Sequence, residues 1–305
     1  MIKIGVVGVG MMGQHHARVY SELECELVGV ADSNIEQARE IGERYRTRYY
    51  SDYTELIPQV DAVSIAVPTT LHRQIAMDFI RQGVHCLVEK PIASNLEGAE
   101  EMIRGAEENH VKLMVGHIER FNPAVLRLKQ IIDQGTLGKL MIISTRRVGP
   151  FASRIRDVGI IIDSATHDID IARYLTGKEP VVVFSKAGKF HNEKEDHGIV
   201  ILDFGDITGH IEVNWFTPHK VRSLVATGSE GIAYLDYIEQ ELKIYNSQGV
   251  REVEIEKAEP LKLELEHFLK CVQNDTELLI NGYDGLRTLD IALQAEQAGV
   301  NVQGL

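Results

Sequence analysis

A glycine-rich turn between an apolar run and a helical pattern constrains the fold of this chain more than any other feature. Residues 2–7 show little alternation between apolar and polar side chains and are mostly β-branched, which predicts a buried strand. Gly8, Gly10 and Gly13 follow with the spacing G-x-G-x-x-G, and Asp32 ends the next apolar run nineteen residues later. A strand, a glycine turn, a helix and an acid at this distance predict the first βα unit of a dinucleotide-binding domain.

Each part of this unit has a physical task, and together they predict the cofactor. Gly10 lets a pyrophosphate approach the backbone, and the first helical turn at Met11 and Met12 offers it unpaired N–H groups. Asp32 would accept hydrogen bonds from the ribose hydroxyls and would repel a 2′-phosphate. The next residues, Ser33 and Asn34, include no arginine to bind such a phosphate. The sequence therefore predicts NAD in preference to NADP.

The rest of the amino-terminal part repeats the alternation of strands and helices. Apolar runs at 27–30, 60–67, 86–88 and 112–115 are separated by helical patterns at 34–45, 71–81 and 95–109. Strands that alternate with helices predict an α/β fold with a doubly wound parallel sheet, whose ligands bind at the carboxyl ends of the strands. We expect an NAD-binding Rossmann domain over residues 1–120.

From residue 121 the pattern changes. A helix is expected at 123–134, a strand at 140–148 and another helix at 162–175. Six short β-like runs joined by turns then occupy residues 181–245, and two helical patterns follow at 261–274 and 285–298. Sequential strands with short turns predict an α+β domain over residues 121–305, built on a large open antiparallel sheet. An apolar sheet face of that size favours burial against a second subunit.

Composition excludes several classes of partner. The formal net charge of −13 argues against nucleic acid or an anionic membrane. Cys25, Cys86 and Cys271 are odd in number and form no C-x-x-C pair, so neither a disulfide framework nor a thiolate metal site is indicated. Because no stretch has the length of a membrane span and no signal-peptide pattern opens the chain, we expect a cytoplasmic protein.

Two groups of residues carry candidate chemistry. Lys90, in Glu89-Lys90-Pro91, directly follows an expected strand, at the end of the sheet where a nicotinamide would bind. Asp163 and His167 are four residues apart on an expected helix, so that the carboxylate can orient an imidazole that accepts a hydroxyl proton. A purely structural pair is the alternative, and Asp170 on the same face fits a structural role. No third ligand is evident, so we predict no metal site.

A local concentration of arginine suggests the charge of the substrate. Between Lys139 and Arg156 the chain carries Arg146, Arg147, Arg154 and Arg156 and no acid. Guanidinium groups match the oxygens of a diphosphate, which a free polyol lacks. The alternative is that these arginines pair with acids of a neighbouring subunit or solvate a loop.

Together these motifs resemble the Gfo/Idh/MocA family of oxidoreductases over essentially the whole chain. The resemblance rests on Gly8 to Gly13, Val67 to His72, Glu89-Lys90-Pro91 and Asp163 to Asp170. It implies that Lys90, Asp163 and His167 are catalytic and that the open sheet forms homodimers or homotetramers. It also implies that the cofactor is lined by residues at the ends of two strands, namely Pro68, Thr69, His72 and Glu89. Ala165 departs from the family pattern, which commonly has glycine there.

Two further segments are similar to the nucleotide-sugar branch of that family. They are residues 116–123, which include Arg120 and Asn122, and residues 214–222. This similarity implies oxidation of the C3 hydroxyl of UDP-N-acetylglucosamine to a 3-keto sugar, with Arg120 and Asn122 at the substrate. The alternatives are a dehydrogenase of a free polyol such as myo-inositol, one of a UDP-sugar uronate, or a non-catalytic NAD-binding regulator.

Overall fold

The computed structural model describes residues 1–150, 158–191 and 193–300, which form two compact units. The first unit combines Met1–Ile118 with Leu261–Arg287, and the second combines Glu119–Pro260 with Thr288–Leu305. The first boundary lies two residues before the expected one. The segment 261–287, expected in the second domain, belongs to the first unit instead. An amphipathic pattern predicts that a helix packs, but not against which sheet.

The first unit is built on a six-stranded parallel sheet, as predicted. Its strands follow the chain in the order β1 (Lys3–Val7), β2 (Glu26–Ala31), β3 (Arg48–Tyr50), β4 (Ala62–Ile65), β5 (His85–Glu89) and β6 (Leu113–Gly116). In the sheet the order is β3-β2-β1-β4-β5-β6, which is the Rossmann arrangement. The direction of winding reverses between β1 and β4, and a crevice for ligands forms at such a point. Strand β3 was not expected, because three residues are too few to show a period.

Four helices connect these strands, and their starts follow from the sequence. They are α1 (Met11–Glu22), α2 (Ile35–Tyr45), α3 (Thr69–Ile80) and α4 (Leu96–Glu108). The side chains of Asn34 and Asn95 accept hydrogen bonds from the backbone N–H groups of Gln37 and Gly98, which caps α2 and α4. Local capping chemistry therefore explains why both helices begin within one residue of the expected position.

The second unit contains α5 (Pro123–Asp133) and β7 (Leu140–Pro150), followed by a π-helical turn at Ile161–Ala165 and α6 (Thr166–Thr176). Seven strands come next along the chain: β8 (Val181–Gly188), β9 (His197–Asp203), β10 (Thr208–Asn214), β11 (Phe216–Gly228), β12 (Gly231–Asp236), β13 (Glu241–Asn246) and β14 (Gly249–Glu252). Helix α7 (Pro260–Asn274) follows, and α8 (Gly282–Val300) begins in the first unit and ends in the second. Among the described residues, none of these helices combines the length and apolarity of a transmembrane segment.

The eight-stranded sheet of the second unit is mostly antiparallel, as expected, and contains one parallel pair of strands. Its order is β14-β13-β12-β11-β7-β10-β9-β8, and β7 runs parallel to β10. The parallel pair arises because β7, which a helix separates from the later strands, inserts between β10 and β11 instead of pairing at an edge of the sheet. One face of the sheet contributes Ile143, Ile211 and Leu224 to the buried core. The opposite face exposes Ile142 and Tyr234 by 42% and 47%.

The glycine turn brings α1 very close to the end of β1. Gly8 has φ +82°, a value that L side chains rarely adopt, and a Cβ on Gly13 would lie 1.7 Å from the carbonyl oxygen of Gly8. A Cβ on Gly10, by contrast, would meet nothing within 4 Å. Gly13 is therefore required by packing, whereas Gly10 borders open space.

We expect Gly13→Ala to destabilise the protein by about 3 kcal/mol or more, because a methyl group cannot share space with a backbone carbonyl. Gly10→Ala is the matched control and should change the free energy of unfolding by less than about 1 kcal/mol, since its φ is ordinary for alanine. Chemical denaturation of the two variants measures both values. Equal stability of Gly13→Ala and the wild type would contradict this packing argument.

Candidate active site

The first unit has a crevice at the carboxyl ends of β1, β2 and β4. It encloses about 370 Å³ and is bordered by Gly8 and Gly10 on one side and by Pro68 and Leu71 on the other. Asp32 lies in its wall. The crevice therefore forms where the strand order reverses, as the fold predicts for a dinucleotide.

Asp32 is held in place by backbone groups. Its Oδ2 accepts a hydrogen bond from the N–H of Val9 at 2.9 Å, and its Oδ1 accepts one from the N–H of Asn34 at 2.9 Å. The carboxylate thus joins the glycine turn to the start of α2. A ribose hydroxyl bound here would meet an acceptor whose position is already fixed.

A second acid in the same crevice escaped the sequence analysis. Asp52 lies in the lining, and hydrogen bonds from Thr54 lower the pKa of its carboxyl group. Its neighbour Tyr53 also contributes to the wall. Two carboxylates make the crevice unfavourable for a 2′-phosphate. The sequence does not predict Asp52 at this site, because β3, which leads to it, has only three residues and shows no periodic pattern.

The crevice fits NAD in two further respects. The open space beside Gly10 is what a pyrophosphate would occupy, and the first turn of α1 contains no acidic residue that would repel it. Met11 and Met12 begin that helix, as expected, and Met11 is 46% exposed. The residues that would hold NAD are thus those of the glycine turn, the start of α1 and Asp32.

The turns after β4 and β5 are tied together by a buried histidine. One ring nitrogen of His72, Nε2, lies 2.9 Å from the carbonyl oxygen of Val67, and Nδ1 lies 2.9 Å from that of Pro91. Burial lowers the pKa of His72 and outweighs the opposing effect of those carbonyls. Pro68 and Thr69 begin α3 beside this bridge. His72 therefore supports the segment that follows Lys90, while Lys90 itself is half-buried at the end of β5.

Asp163 and His167 lie in the second unit, on either side of a change in helix type. Asp163 is in the π-helical turn and His167 is the second residue of α6, where the sequence predicted one continuous α-helix. Between Ile161 and Ala172 these two alone are half-buried, and all the others are buried. The pair therefore shares the accessible side of this segment, and π-helical turns are frequent at functional sites. Within the described ranges, no three His, Cys, Asp or Glu residues are grouped to hold a metal ion.

Two arginines that the sequence suggested for the substrate have carboxylate partners inside the second unit. Arg120 binds Asp170 through two hydrogen bonds of 2.8 and 2.7 Å. Arg147 donates to Asp168 at 3.0 Å and to Glu119 at 2.9 Å. Burial opposes its charge, but these carboxylates raise the pKa of Arg147 above its usual value. Such buried, paired guanidinium groups favour a structural role.

The remaining members of the predicted substrate set are placed differently. Asn122 is buried, caps α5 and donates to the carbonyl of Tyr237 at 3.0 Å. Arg146 points to the open face of the sheet and pairs with Glu212 at 3.1 Å. Arg154 and Arg156 lie outside the described residues. The acids that pair with Arg146 and Arg147 belong to the same unit as these arginines.

Arg222, to which the sequence assigned no role, interacts electrostatically with the candidate catalytic residue Asp163. Arg222 on β11 pairs in register with Arg147 on β7, so both side chains leave the same face of the sheet. The Arg222 side chain is 42% exposed, against 5% for Arg147, and its Nη1 lies 3.7 Å from Oε1 of Glu119. Burial and the positive charge of Arg147 lower the pKa of Arg222, and the carboxylate of Asp163 is among the charges that oppose this.

Comparison with known proteins identifies the family. Residues 2–117 match the oxidoreductase family with an NAD-binding Rossmann fold, and residues 125–234 match the GFO/IDH/MocA C-terminal domain. UDP-N-acetylglucosamine 3-dehydrogenase of Acidithiobacillus ferrooxidans is 32% identical over 308 residues, which cover 97% of each chain. The chain belongs to the Gfo/Idh/MocA family of oxidoreductases. It is an NAD-dependent dehydrogenase, as the glycine turn and Asp32 predicted.

One further relative and one solved structure extend this comparison within the family. The scyllo-inositol 2-dehydrogenase (NAD(+)) of Bacillus subtilis is 30% identical and covers 96% of this chain and 93% of its own. A solved structure of the A. ferrooxidans UDP-N-acetylglucosamine 3-dehydrogenase superimposes with a TM-score of 0.93 at 31% identity, over 99% of both chains. The family includes enzymes named for nucleotide sugars and for inositols at similar distances from this chain.

Proposed function

We propose that this protein oxidises the C3 hydroxyl of UDP-N-acetylglucosamine to a 3-keto sugar. The observation that carries the proposal is the full-length similarity, 32% identity over 97% of both chains, to a UDP-N-acetylglucosamine 3-dehydrogenase. The accessible guanidinium group of Arg222 supports it, because a diphosphate binds cations that a free polyol does not require.

In the proposed mechanism, Lys90, Asp163 and His167 act on one hydroxyl group. His167, oriented by Asp163, accepts the hydroxyl proton, and the ammonium group of Lys90 donates a hydrogen bond to the same oxygen. Its positive charge stabilises the negative charge that develops on that oxygen. Bound NAD⁺ supplies the acceptor for the hydride that leaves the carbinol carbon.

A second candidate function is the oxidation of a free polyol such as an inositol. It is favoured by the 30% identity to scyllo-inositol 2-dehydrogenase over 96% of the chain. A UDP-sugar uronate is a third substrate to compare. A non-catalytic NAD-binding regulator is the remaining alternative, and the presence of Lys90, Asp163 and His167 together argues against it.

We expect the rate of NADH formation to be higher with UDP-N-acetylglucosamine than with UDP-N-acetylglucosaminuronate or with myo-inositol. Lys90→Met should lower kcat by about 10²- to 10³-fold, because one donor to the developing charge is removed. The Kd for NAD⁺ should stay within a few fold, as measured by calorimetry, and Lys90→Arg, which keeps the cation, should lose less activity. Unchanged turnover in Lys90→Met would refute the assignment. Tight NAD⁺ binding without turnover of any of the three sugars would favour the regulator.

Arg222 is the residue that we propose for the substrate diphosphate, in addition to Arg154 and Arg156. It shares a sheet face with Arg147, and it is accessible where Arg147 is not. The carboxylate of Asp163 interacts electrostatically with the Arg222 guanidinium group, which supports a location of Arg222 near the candidate catalytic pair. Among the described residues it has one carboxylate contact, at 3.7 Å from Glu119, which leaves hydrogen-bonding capacity for an anionic ligand.

We expect Arg222→Gln to raise KM for UDP-N-acetylglucosamine by about tenfold or more, since a charge-assisted hydrogen bond to phosphate contributes about 1.5–3 kcal/mol. Changes in kcat should be small, because the contact is remote from the reacting carbon. Arg146→Gln is the control on the opposite face of the same sheet and should leave both constants unchanged. Steady-state kinetics of the two variants decide this, and equal KM values in both would contradict the role of Arg222.

We also propose that the open face of the mixed sheet forms a homodimer or homotetramer. This face presents Ile142, Ile199 and Tyr234, each at least 40% exposed, together with polar side chains such as Arg146 and Glu212. Apolar side chains grouped on one regular surface favour burial against another copy. We also propose a cytoplasmic location, because Cys25, Cys86 and Cys271 are free thiols, which suits a reducing compartment.

Sedimentation velocity should show a species larger than the monomer for the wild type. Ile199→Asp should shift it toward the monomer, because a carboxylate on this face would be buried without a partner. Ile35→Asp is the matched control, since Ile35 is equally exposed, at 40%, on the other unit. A monomeric wild type would overturn the proposed assembly.

A further inference from the structure

A chain of buried polar groups runs beneath the end of β5. The hydroxyl oxygen of Tyr20 lies 2.8 Å from Oγ of Ser64, which lies 3.1 Å from Nδ1 of His16. The other ring nitrogen of His16, Nε2, lies 3.0 Å from Oε1 of Glu89. Tyr20, Ser64 and His16 are fully buried, and Glu89 is 8% exposed. Groups from α1, β4 and β5 therefore form one continuous network.

The donors and acceptors in this network have one consistent arrangement. An ionised Glu89 only accepts, so Nε2 of His16 donates to it. A neutral imidazole then accepts at Nδ1, so the Ser64 hydroxyl donates there and its oxygen accepts from the Tyr20 hydroxyl. Each group then has a hydrogen-bond partner. The whole chain thus directs a hydrogen bond at the Glu89 carboxylate.

A second buried carboxyl group, that of Glu264, interacts electrostatically with Glu89. Burial alone would raise the pKa of Glu89, but the hydrogen bond from His16, and then the charge of Lys90, lower it. Glu264 on α7 is fully buried, and neither of its oxygens has a hydrogen-bond partner within the described part of the chain. Its burial and the nearby charge of Glu89 raise its pKa well above the usual range. The two carboxyl groups thus differ, because Glu89 has hydrogen-bond donors that stabilise its negative charge and Glu264 has none within the described part of the chain.

The second oxygen of Glu89 connects this network to the candidate catalytic lysine. Oε2 accepts a hydrogen bond from the backbone N–H of Lys90 at 3.2 Å. A Cβ on Gly116 of the neighbouring strand would lie 3.2 Å from the same oxygen, so the carboxylate is packed closely against β6. Glu89 is thus held between His16 on one side and the Lys90 backbone on the other.

We propose that His16 is a positioning residue for Lys90, acting through Glu89. The ring of His16 holds the Glu89 carboxylate in place, and Glu89 in turn holds the backbone of Lys90 through its second oxygen. His16 itself contacts neither substrate nor cofactor in this role. The inference rests on the proposed function only in so far as Lys90 is catalytic.

The test compares His16→Phe, which removes the donor, with His16→Gln, whose amide nitrogen can replace Nε2. His85→Phe is the matched control, because His85 lies at the opposite end of β5 and accepts a hydrogen bond from the backbone N–H of Lys112. The first readout is the rate at which acetic anhydride acetylates Lys90 relative to Lys139 at pH 8, followed by mass spectrometry. The second is kcat with UDP-N-acetylglucosamine, and the third is the Kd for NAD⁺.

We expect His16→Phe to speed acetylation of Lys90 by about tenfold, because the backbone of Lys90 loses its fixed anchor and its ammonium group loses the attraction of a fixed carboxylate. It should lower kcat by about tenfold or more, with the Kd for NAD⁺ within a few fold of the wild type. His16→Gln and His85→Phe should behave as the wild type. Unchanged acetylation and unchanged kcat in folded His16→Phe would overturn the proposal.

Glu89→Gln extends the test to the second step of the network. It should speed Lys90 acetylation as His16→Phe does, and the double variant should be no faster than Glu89→Gln alone, because both changes break the same hydrogen-bonded connection to Lys90. Additive effects would show that His16 acts by another route. If His16→Phe does not fold, Glu89→Gln and His16→Gln still decide the outcome by acetylation. If Lys90→Met retains turnover, the proposed function fails, whereas the acetylation rates still test the link from His16 to Lys90.

Discussion

The first unit depends on one close approach, the contact between Gly13 of α1 and the carbonyl of Gly8. Because a Cβ would come within 1.7 Å of that oxygen, α1 can pack so near to the sheet only with glycine at this position. The approach directs the helix N-terminus at the crevice that would bind the pyrophosphate. One turn later it places His16 against Ser64 and Glu89. Cofactor binding and the support of Lys90 therefore follow from the same packing constraint.

The second unit contains several buried ion pairs. Arg120 and Arg147 are about 95% buried at the side chain and are paired with Asp170, Asp168 and Glu119. Each guanidinium in these pairs is costly to remove from water, so its hydrogen bonds must be satisfied within the unit. This explains why the two arginines are unsuited to bind a substrate anion. Arg222, on the same face and less buried, keeps the accessibility that such a role needs.

Much of the fold could be predicted because it depends on local patterns. The parallel sheet, its helices and the glycine turn follow from periodicity and from glycine spacing. The short strand β3 and the π-helical turn at Asp163 could not be predicted, since neither leaves a period in the sequence. The insertion of β7 beside β10 and the packing of α7 in the first unit depend on contacts between distant segments. An amphipathic pattern carries no information about its partner.

The sequence by itself determined the cofactor class, because turn geometry, helix polarity and the acid after β2 are all encoded within the first 32 residues. It also placed Lys90 at a strand end, and Asp163 and His167 four residues apart. Only the tertiary structure decided which arginines are paired inside the protein and which are accessible, because sequence proximity does not tell on which face a neighbour lies. Arg146 and Arg147 are adjacent in the chain, yet they bind carboxylates on opposite faces of one sheet, since successive side chains of a strand alternate.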